Sequence, residues 1–219
     1  TMQGLYIVTP DWDDTARLVE CTGAALHAGA AMVQYRHKGA SPALRREQAA
    51  ALKALCRRYN RPLVINDHIE LCLTVDADGV HVGGTDASVA QARALLGPSK
   101  IVGASCYGEL ALALAAERDG ASYVAFGGFY PSKVKQYSFR TDPDLVKHAK
   151  AAVRLPVVVI GGMTPDNAAP LVQRGADMVA AISSIYTAPV PGAEVRRFDG
   201  LFAARAKQCS NVGSGRIIV

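Results

Sequence analysis

The chain has 219 residues, half of them hydrophobic and a fifth charged, which excludes a disordered polymer and gives enough material for one well-cored domain. Net charge is +5, and the 24 Lys and Arg are scattered without a run of five, which argues against nucleic acid and suits a small anionic substrate. No basic-then-apolar N-terminal segment and no apolar run of membrane length appears, and the five Cys show no C-x-x-C spacing, so reduced thiols in a cytoplasmic protein are expected.

The elements alternate from the start. Gly4 to Thr9 reads as a strand closed by Pro10, and Asp14 to Ala28 as an amphipathic helix ended by Gly29. Met32 to Arg36 is a second strand, followed by a helix from Pro42 to Tyr59 with Ser41 as N-cap. Leu63 to Asp67 is strand three, with a short helix from Ile69 to Val75. Gly79 to Val82 and Ile101 to Ser105 are strands four and five, with helices from Ser88 to Leu96 and Glu109 to Arg118. Tyr123 to Gly127 is strand six; a long polar loop runs to Thr141, then a helix from Pro143 to Val153. Val157 to Ile160 and Met178 to Ile182 are apolar runs that stop at Gly161-Gly162 and Ser183-Ser184, as strands buried on both faces do. A helix from Asp166 to Arg174 joins them, and Val195 to Lys207 is the candidate closing helix.

Eight strand–helix alternations, without a glycine fingerprint after strand one, predict a single (β/α)8 barrel over 1–208. Short Gly/Ala turns before several strands, at Ala77-Asp78-Gly79, Asp119-Gly120-Ala121 and Gly175-Ala176-Asp177 among others, support the count. The stretch 209–219, with Ser210 to Gly215 at its centre, reads as a flexible tail.

In such a barrel the chemistry sits at the strand C-terminal ends, with phosphate most often held after strands seven and eight. Gly161-Gly162 offers bare backbone N–H groups there, and Ile182-Ser183-Ser184 adds hydroxyls. Gln34, Arg36 and Lys38 are spaced by two, so on an extended strand they share a face and form a polyanion clamp. Asp67 and Asp86 follow neighbouring strands; they suit Mg²⁺ bridging to a diphosphate, or else each caps the next helix. Lys133, Lys135 and Arg140 lie in the long loop after strand six, either closing over phosphate or facing solvent. His81, within strand four, reads as a satisfied core histidine rather than a base.

Gln-x-Arg-x-Lys at 34–38, Ile-Asn-Asp-x-x-Glu-Leu at 65–71, Ala-Asp-Gly-Val-His-Val-Gly at 77–83 with Asp86, Tyr-Pro-Ser-x-x-Lys at 130–135, Ile-Gly-Gly-Met-Thr-Pro at 160–165, Gly-Ala-Asp at 175–177 and Ile182-Ser183 together resemble the thiamine phosphate synthase family. The resemblance runs from about Gly4 to Tyr186. It implies a transferase that joins 4-amino-5-hydroxymethyl-2-methylpyrimidine diphosphate to 4-methyl-5-(2-hydroxyethyl)thiazole phosphate, giving thiamine phosphate and pyrophosphate. It implies that Gln34, Tyr35, Arg36, His37, Lys38, Asn66, Ser105 and Lys135 bind the pyrimidine diphosphate, and that Asp67 and Asp86 hold Mg²⁺. Ser132, Lys133, Val134, Gly162, Ile182 and Ser183 would bind the thiazole phosphate. Arg36, Lys38 and Lys135, with Mg²⁺, would neutralise the departing pyrophosphate. Four positions depart from the usual family pattern: Ser132 and Val134 where Thr is usual, Gly84 for Gln and Gly128 for Pro.

The rival readings are a thiazole tautomerase, a phosphosugar isomerase or epimerase, and a non-catalytic barrel that binds a thiamine precursor. The first wants a His after strand five, where this chain has Ser105-Cys106-Tyr107-Gly108. The partners expected are phosphorylated small molecules, with self-association left open between monomer and homo-oligomer; no nucleic acid and no membrane are expected.

Overall fold

The computed structural model describes residues 2–83, 88–132 and 138–213. The eight strands are β1 (Gly4–Val8), β2 (Met32–Tyr35), β3 (Leu63–Asn66), β4 (Gly79–Gly83), β5 (Ile101–Tyr107), β6 (Tyr123–Phe126), β7 (Val157–Val159) and β8 (Met178–Ala181). All pair in parallel and in chain order, and β1 closes on β8 with Leu5 opposite Val179, so the barrel predicted from the alternation is the fold.

Strand alternation splits the apolar residues into two cores. Tyr6, Val8, Met32, Val64, Tyr123, Ala125, Val158, Ile160, Met178 and Ala180 fill the barrel interior. Their strand neighbours, such as Leu5, Val33, Ile65 and Val124, face outward onto the helices in the larger core.

The helices are α1 (Thr15–Ala28), α2 (Pro42–Arg58), α3 (Ile69–Val75), α4 (Ser88–Leu96), α5 (Leu110–Arg118), α6 (Leu145–Ala152), α7 (Pro165–Gln173), the short α8 (Ser183–Tyr186) and α9 (Pro191–Gly213). The expected caps are present. Asp14 accepts from the Arg17 N–H at 3.1 Å and Ser41 from that of Leu44 at 3.1 Å. Thr164 and Asn167 form a reciprocal capping box at the start of α7.

The recurring turn before the strands has a structural role. Asp78, just before β4, accepts the Leu63 N–H at the start of β3 at 2.8 Å. Asp177, before β8, accepts the Val157 N–H at the start of β7, also at 2.8 Å. Ser122, before β6, does the same for Val102 in β5 at 2.9 Å. Each side chain satisfies a backbone donor at the barrel's N-terminal end, which is otherwise an orphan.

The C-terminal end differs from expectation. α9 starts earlier than Val195 and runs through 208 to Gly213, so Ser210 to Gly213 are helical rather than linker. Val195, Phe198 and Phe202 bury one face, and Arg205 bonds the carbonyls of Val172 and Ala176 at 2.9 and 2.6 Å. A polar, Gly-containing composition hid a helix whose packing is set in its first half. Residues 214–219 lie outside the described residues.

All five cysteines are free thiols, as their spacing suggested. Burial raises the thiols of Cys56 and Cys106 to about 12 and that of Cys72 to about 11, which keeps them protonated.

Candidate active site at the strand C-terminal ends

β7 ends in a turn that only glycine can make. Gly161 has φ +99° and Gly162 φ +64°, and a Cβ on Gly162 would stand 2.1 Å from the Pro131 carbonyl oxygen. Asn167, already in the capping box, donates to the Gly162 carbonyl at 2.8 Å and fixes the turn. A cavity opens above it, lined by Ser132, Ile160, Gly161, Gly162, Met163 and the segment from Ala180 to Ser183. The four described members of the sequence-derived thiazole phosphate set, Ser132, Gly162, Ile182 and Ser183, therefore line one cavity. Six of these nine lining residues are Gly, Ala or Ser, and such small residues at strand ends suit an oxyanion. α8 is anchored beneath by a 2.7 Å bond between Tyr186 and Thr22 hydroxyls, and Trp12 packs edge-on to the Tyr186 ring.

β2 and β3 build the other half. Gln34 points into the barrel and is almost fully buried. Arg36 lies just past the strand end, 3.8 Å from the Asp11 carboxylate, with its backbone N–H on the buried Thr9 hydroxyl at 2.9 Å. Lys38 pairs with Asp67 at 2.9 Å, and Asn66 donates to the same Asp67 oxygen at 3.2 Å. Asp67 sits at φ +63°, a left-handed conformation at the very end of β3. Its amide is held by the His81 carbonyl at 2.9 Å. Arg45 of α2 donates to the carbonyls of His37 and Lys38, pinning the turn that carries the clamp.

Not every residue of the expected diphosphate set faces this mouth. Tyr35 points outward into the helix layer, and its hydroxyl donates to Gln48 at 2.7 Å. His37 is buried against Asp13, 2.7 Å away. The expected shared strand face of Gln34, Arg36 and Lys38 is not formed: β2 ends at Tyr35, Gln34 turns into the barrel to bond Tyr6, and Lys38, in the turn that follows, joins Asp67. Ser105, on β5, is bonded to His81 at 2.7 Å. His81, read as a core histidine, is one, and a Tyr6–Tyr123 pair adjoins it that the strand pattern alone did not single out.

Asp86, Gly84, Lys133, Val134 and Lys135 lie outside the described residues. The flanks of the loop after β6 are described. Thr141 bonds the carbonyls of Gly127 and Gly128, and Arg140 bonds that of Phe129 at 3.2 Å. Gly128 has φ +85°, which the proline usual at this place in the family cannot adopt.

For a cation, Asp67 offers a half-exposed carboxylate. Its Oδ2 takes both the Lys38 and the Asn66 bond, and its Oδ1 takes none among the described residues. No group of three or more His, Cys, Asp or Glu gathers among the described residues. An ion here would rest on one or two carboxylates and take its remaining ligands from water and substrate, which fits Mg²⁺ and not a fully protein-caged metal. No helix among the described residues is long and apolar enough to cross a membrane.

Comparison with known proteins agrees with this geometry. The family model described as thiamine monophosphate synthase matches residues 5–185. A thiamine-phosphate synthase of Janthinobacterium sp. (strain Marseille) is 63% identical over 202 residues, covering 92% of this chain and 98% of that protein. One of Nitrosospira multiformis is 49% identical over 199 residues, covering 91% and 85%. Among solved structures, a thiamine phosphate pyrophosphorylase from Pyrococcus furiosus superposes with a TM-score of 0.81 at 30% identity, covering 93% of this chain and 97% of that one. The chain belongs to the thiamine monophosphate synthase family.

Proposed function

We propose that the barrel joins 4-amino-5-hydroxymethyl-2-methylpyrimidine diphosphate to 4-methyl-5-(2-hydroxyethyl)thiazole phosphate and releases pyrophosphate. The observation that carries this is the cavity lined by Ser132, Gly162, Ile182 and Ser183 beside a mouth that also bears Arg36, Lys38 and Asp67. One cradle suits a monoester phosphate; the separate clamp suits a second, more highly charged phosphate group. A phosphosugar isomerase would use the cradle but has no need of the clamp. A tautomerase needs no diphosphate site either.

The division of labour follows from the chemistry. The aminopyrimidine stabilises positive charge at its methylene, so the carbon–oxygen bond can break ahead of attack. Arg36 and Lys38, with Lys135 from the loop, neutralise the departing pyrophosphate. Asp67, with Asp86, would hold Mg²⁺, which when bound supplies further positive charge to the leaving group. The attacking thiazole nitrogen carries no proton, so no general base is required. This suits a mouth in which the buried imidazole, His81, is engaged with Tyr123 and Ser105. The same reading places the reaction among phosphorylated small molecules, in the cytoplasm.

The test is the product of the two substrates in wild type and Asp67→Ala, followed by mass spectrometry. Wild type is expected to form thiamine phosphate. Asp67→Ala is expected to lose turnover by at least about a hundredfold while the thiazole phosphate still raises the melting temperature, because an ion clamp and a neutral phosphate cradle are separate. Full activity of Asp67→Ala would remove the metal assignment.

A further inference from the structure

The loop between β1 and α1, residues 9–14, wraps the turn that carries the cation clamp. Thr9, fully buried just past β1, accepts the Arg36 N–H at 2.9 Å and donates its hydroxyl to the Arg36 carbonyl at 3.1 Å. Asp11 Oδ1 accepts the Lys38 N–H at 3.2 Å. Asp13 meets His37 Nε2 at 2.7 Å. From the opposite side, Arg45 of α2 donates to the His37 and Lys38 carbonyls at 3.1 and 3.2 Å.

The loop is itself fastened between its two aspartates. The Trp12 carbonyl accepts from Gln48 Nε2 at 2.8 Å, and the Tyr35 hydroxyl donates to Gln48 Oε1 at 2.7 Å. One fully buried residue of α2 therefore ties the loop to β2. The Trp12 ring meets the Tyr186 ring edge-on at 5.5 Å, and the Arg17 guanidinium covers it at 3.8 Å. Asp11 and Asp13 thus flank an anchored residue. Across the turn, Tyr35 and His37 are the anchors, and Arg36 and Lys38 carry the charge.

Arg36 is held unusually. Its side chain is only 12% exposed, yet among the described residues its guanidinium makes no hydrogen bond, and its ion pair is with Asp11 Oδ1 at 3.8 Å. A carboxylate that satisfied the fork would bond it at about 2.7–2.9 Å. At 3.8 Å, Asp11 supplies opposing charge and a direction without using the fork's donors. That same oxygen holds the Lys38 N–H, and His37 Nδ1, buried without a hydrogen-bond partner, lies 3.9 Å from it. One oxygen thus gathers groups from three consecutive residues, so the direction of the fork is tied to the closure of the turn.

We propose that Asp11 is a positioning residue: it closes the turn 36–38 through the Lys38 N–H and aims the Arg36 fork at the departing pyrophosphate before substrate arrives. The proposal rests on the substrate reading given above. A fork set in advance needs no reorganisation as charge develops on the leaving group, so the gain falls on turnover rather than on ground-state binding. A carboxylate that merely repelled or displaced the anion would act with the opposite sign, since its removal would tighten diphosphate binding.

The experiment is steady-state pyrophosphate release with each substrate varied in turn, for wild type, Asp11→Asn, Asp11→Ala, Arg36→Lys and the Asp11→Ala/Arg36→Lys double variant, with melting temperatures alongside. Asp11→Ala is expected to lower kcat by about tenfold or more, the scale set by a misplaced catalytic group. Asp11→Asn, which keeps an acceptor for the Lys38 N–H and loses the charge facing Arg36, falls between it and wild type. The thiazole phosphate KM stays within about twofold, because that substrate does not meet the turn. In the Arg36→Lys background, Asp11→Ala costs less than about threefold, because a lysine has no planar fork to aim. An unchanged kcat with a lower diphosphate KM in Asp11→Ala would show repulsion alone and overturn the proposal. The full tenfold cost persisting beside Arg36→Lys would also overturn it, as would a lowered melting temperature with kcat intact. Each of these outcomes leaves the synthase reading standing. Failure of wild type to release pyrophosphate from both substrates would overturn that reading and this inference with it.

Discussion

At the scale of single residues, Gly162 shows how tightly the turn beneath the proposed phosphate cradle is drawn. It combines a left-handed φ of +64° with a carbonyl oxygen 2.1 Å from where a Cβ would be. Gly162→Ala is expected to raise the thiazole phosphate KM by at least about tenfold, because the turn must shift by the width of the clash and an L residue there adds about 1–2 kcal/mol of strain. Steady-state kinetics with each substrate varied in turn checks this; an unchanged thiazole phosphate KM would separate the turn from the cradle. Gly161-Gly162 was legible in the sequence because a strand that ends in two glycines has few other uses. Asn66 and Asp67 were legible for a similar reason, as polar residues at the end of an apolar run, and Lys38 through its spacing of two from Arg36. Gly103 and Tyr123 were not. Each looks like ordinary strand text, and only the pairing of Gly103 with Tyr123 across β5 and β6 brings the ring into the space the glycine leaves. Arg45 was hidden as well, since on an Arg-rich helix nothing marks the one guanidinium that turns toward the clamp.

At the scale of elements, the recurring turn before the strands was visible as text but not as a device. Its Asp bonds the first N–H of the neighbouring strand, and an outward Lys steadies the carboxylate: Lys150 lies 2.7 Å from Asp177, and Lys53 lies 3.5 Å from Asp78. Asp177→Ala is expected to cost about 1–3 kcal/mol of stability, the usual range for a part-buried donor left without a partner. KM for both substrates should be unchanged, because the bond is at the barrel end away from the site. Denaturant unfolding alongside kinetics tests the pair of expectations, and a stability loss below about 0.5 kcal/mol would mean that water replaces the carboxylate. The closing helix teaches the opposite lesson. Its buried half, with Val195, Phe198 and Phe202, was readable by period, whereas its last turns carry Ser, Asn and Gly, which score as linker when nothing they pack against is known.

At the scale of the whole molecule, the two ends of the barrel separate stability from chemistry. Alternation of strands and helices was enough to predict closure, because eight such units without a dinucleotide fingerprint have few other arrangements. Asp199, on α9 beside Gly4 and Gly29 at the N-terminal end, carries a stability signal of its own. Partial burial raises its carboxyl above 3.8, against a smaller opposing pull from Arg61. A carboxyl whose pKa is higher in the fold than in the unfolded chain binds its proton more tightly when folded, so its ionisation removes stability as pH rises through that window. Asp199→Asn is therefore expected to raise the melting temperature at pH 7, with the gain disappearing below the unfolded pKa. A gain that persists in acid would point to packing instead.

The central claim is that one barrel mouth holds two phosphorylated substrates, one through a backbone cradle and one through a cation clamp. Pyrophosphate release from purified protein, with each substrate alone and then both, in Mg²⁺ and then in EDTA, tests it most directly. Release is expected only when both substrates and the metal ion are present. Release from the pyrimidine diphosphate alone at the same rate, or release undiminished by EDTA, would contradict it.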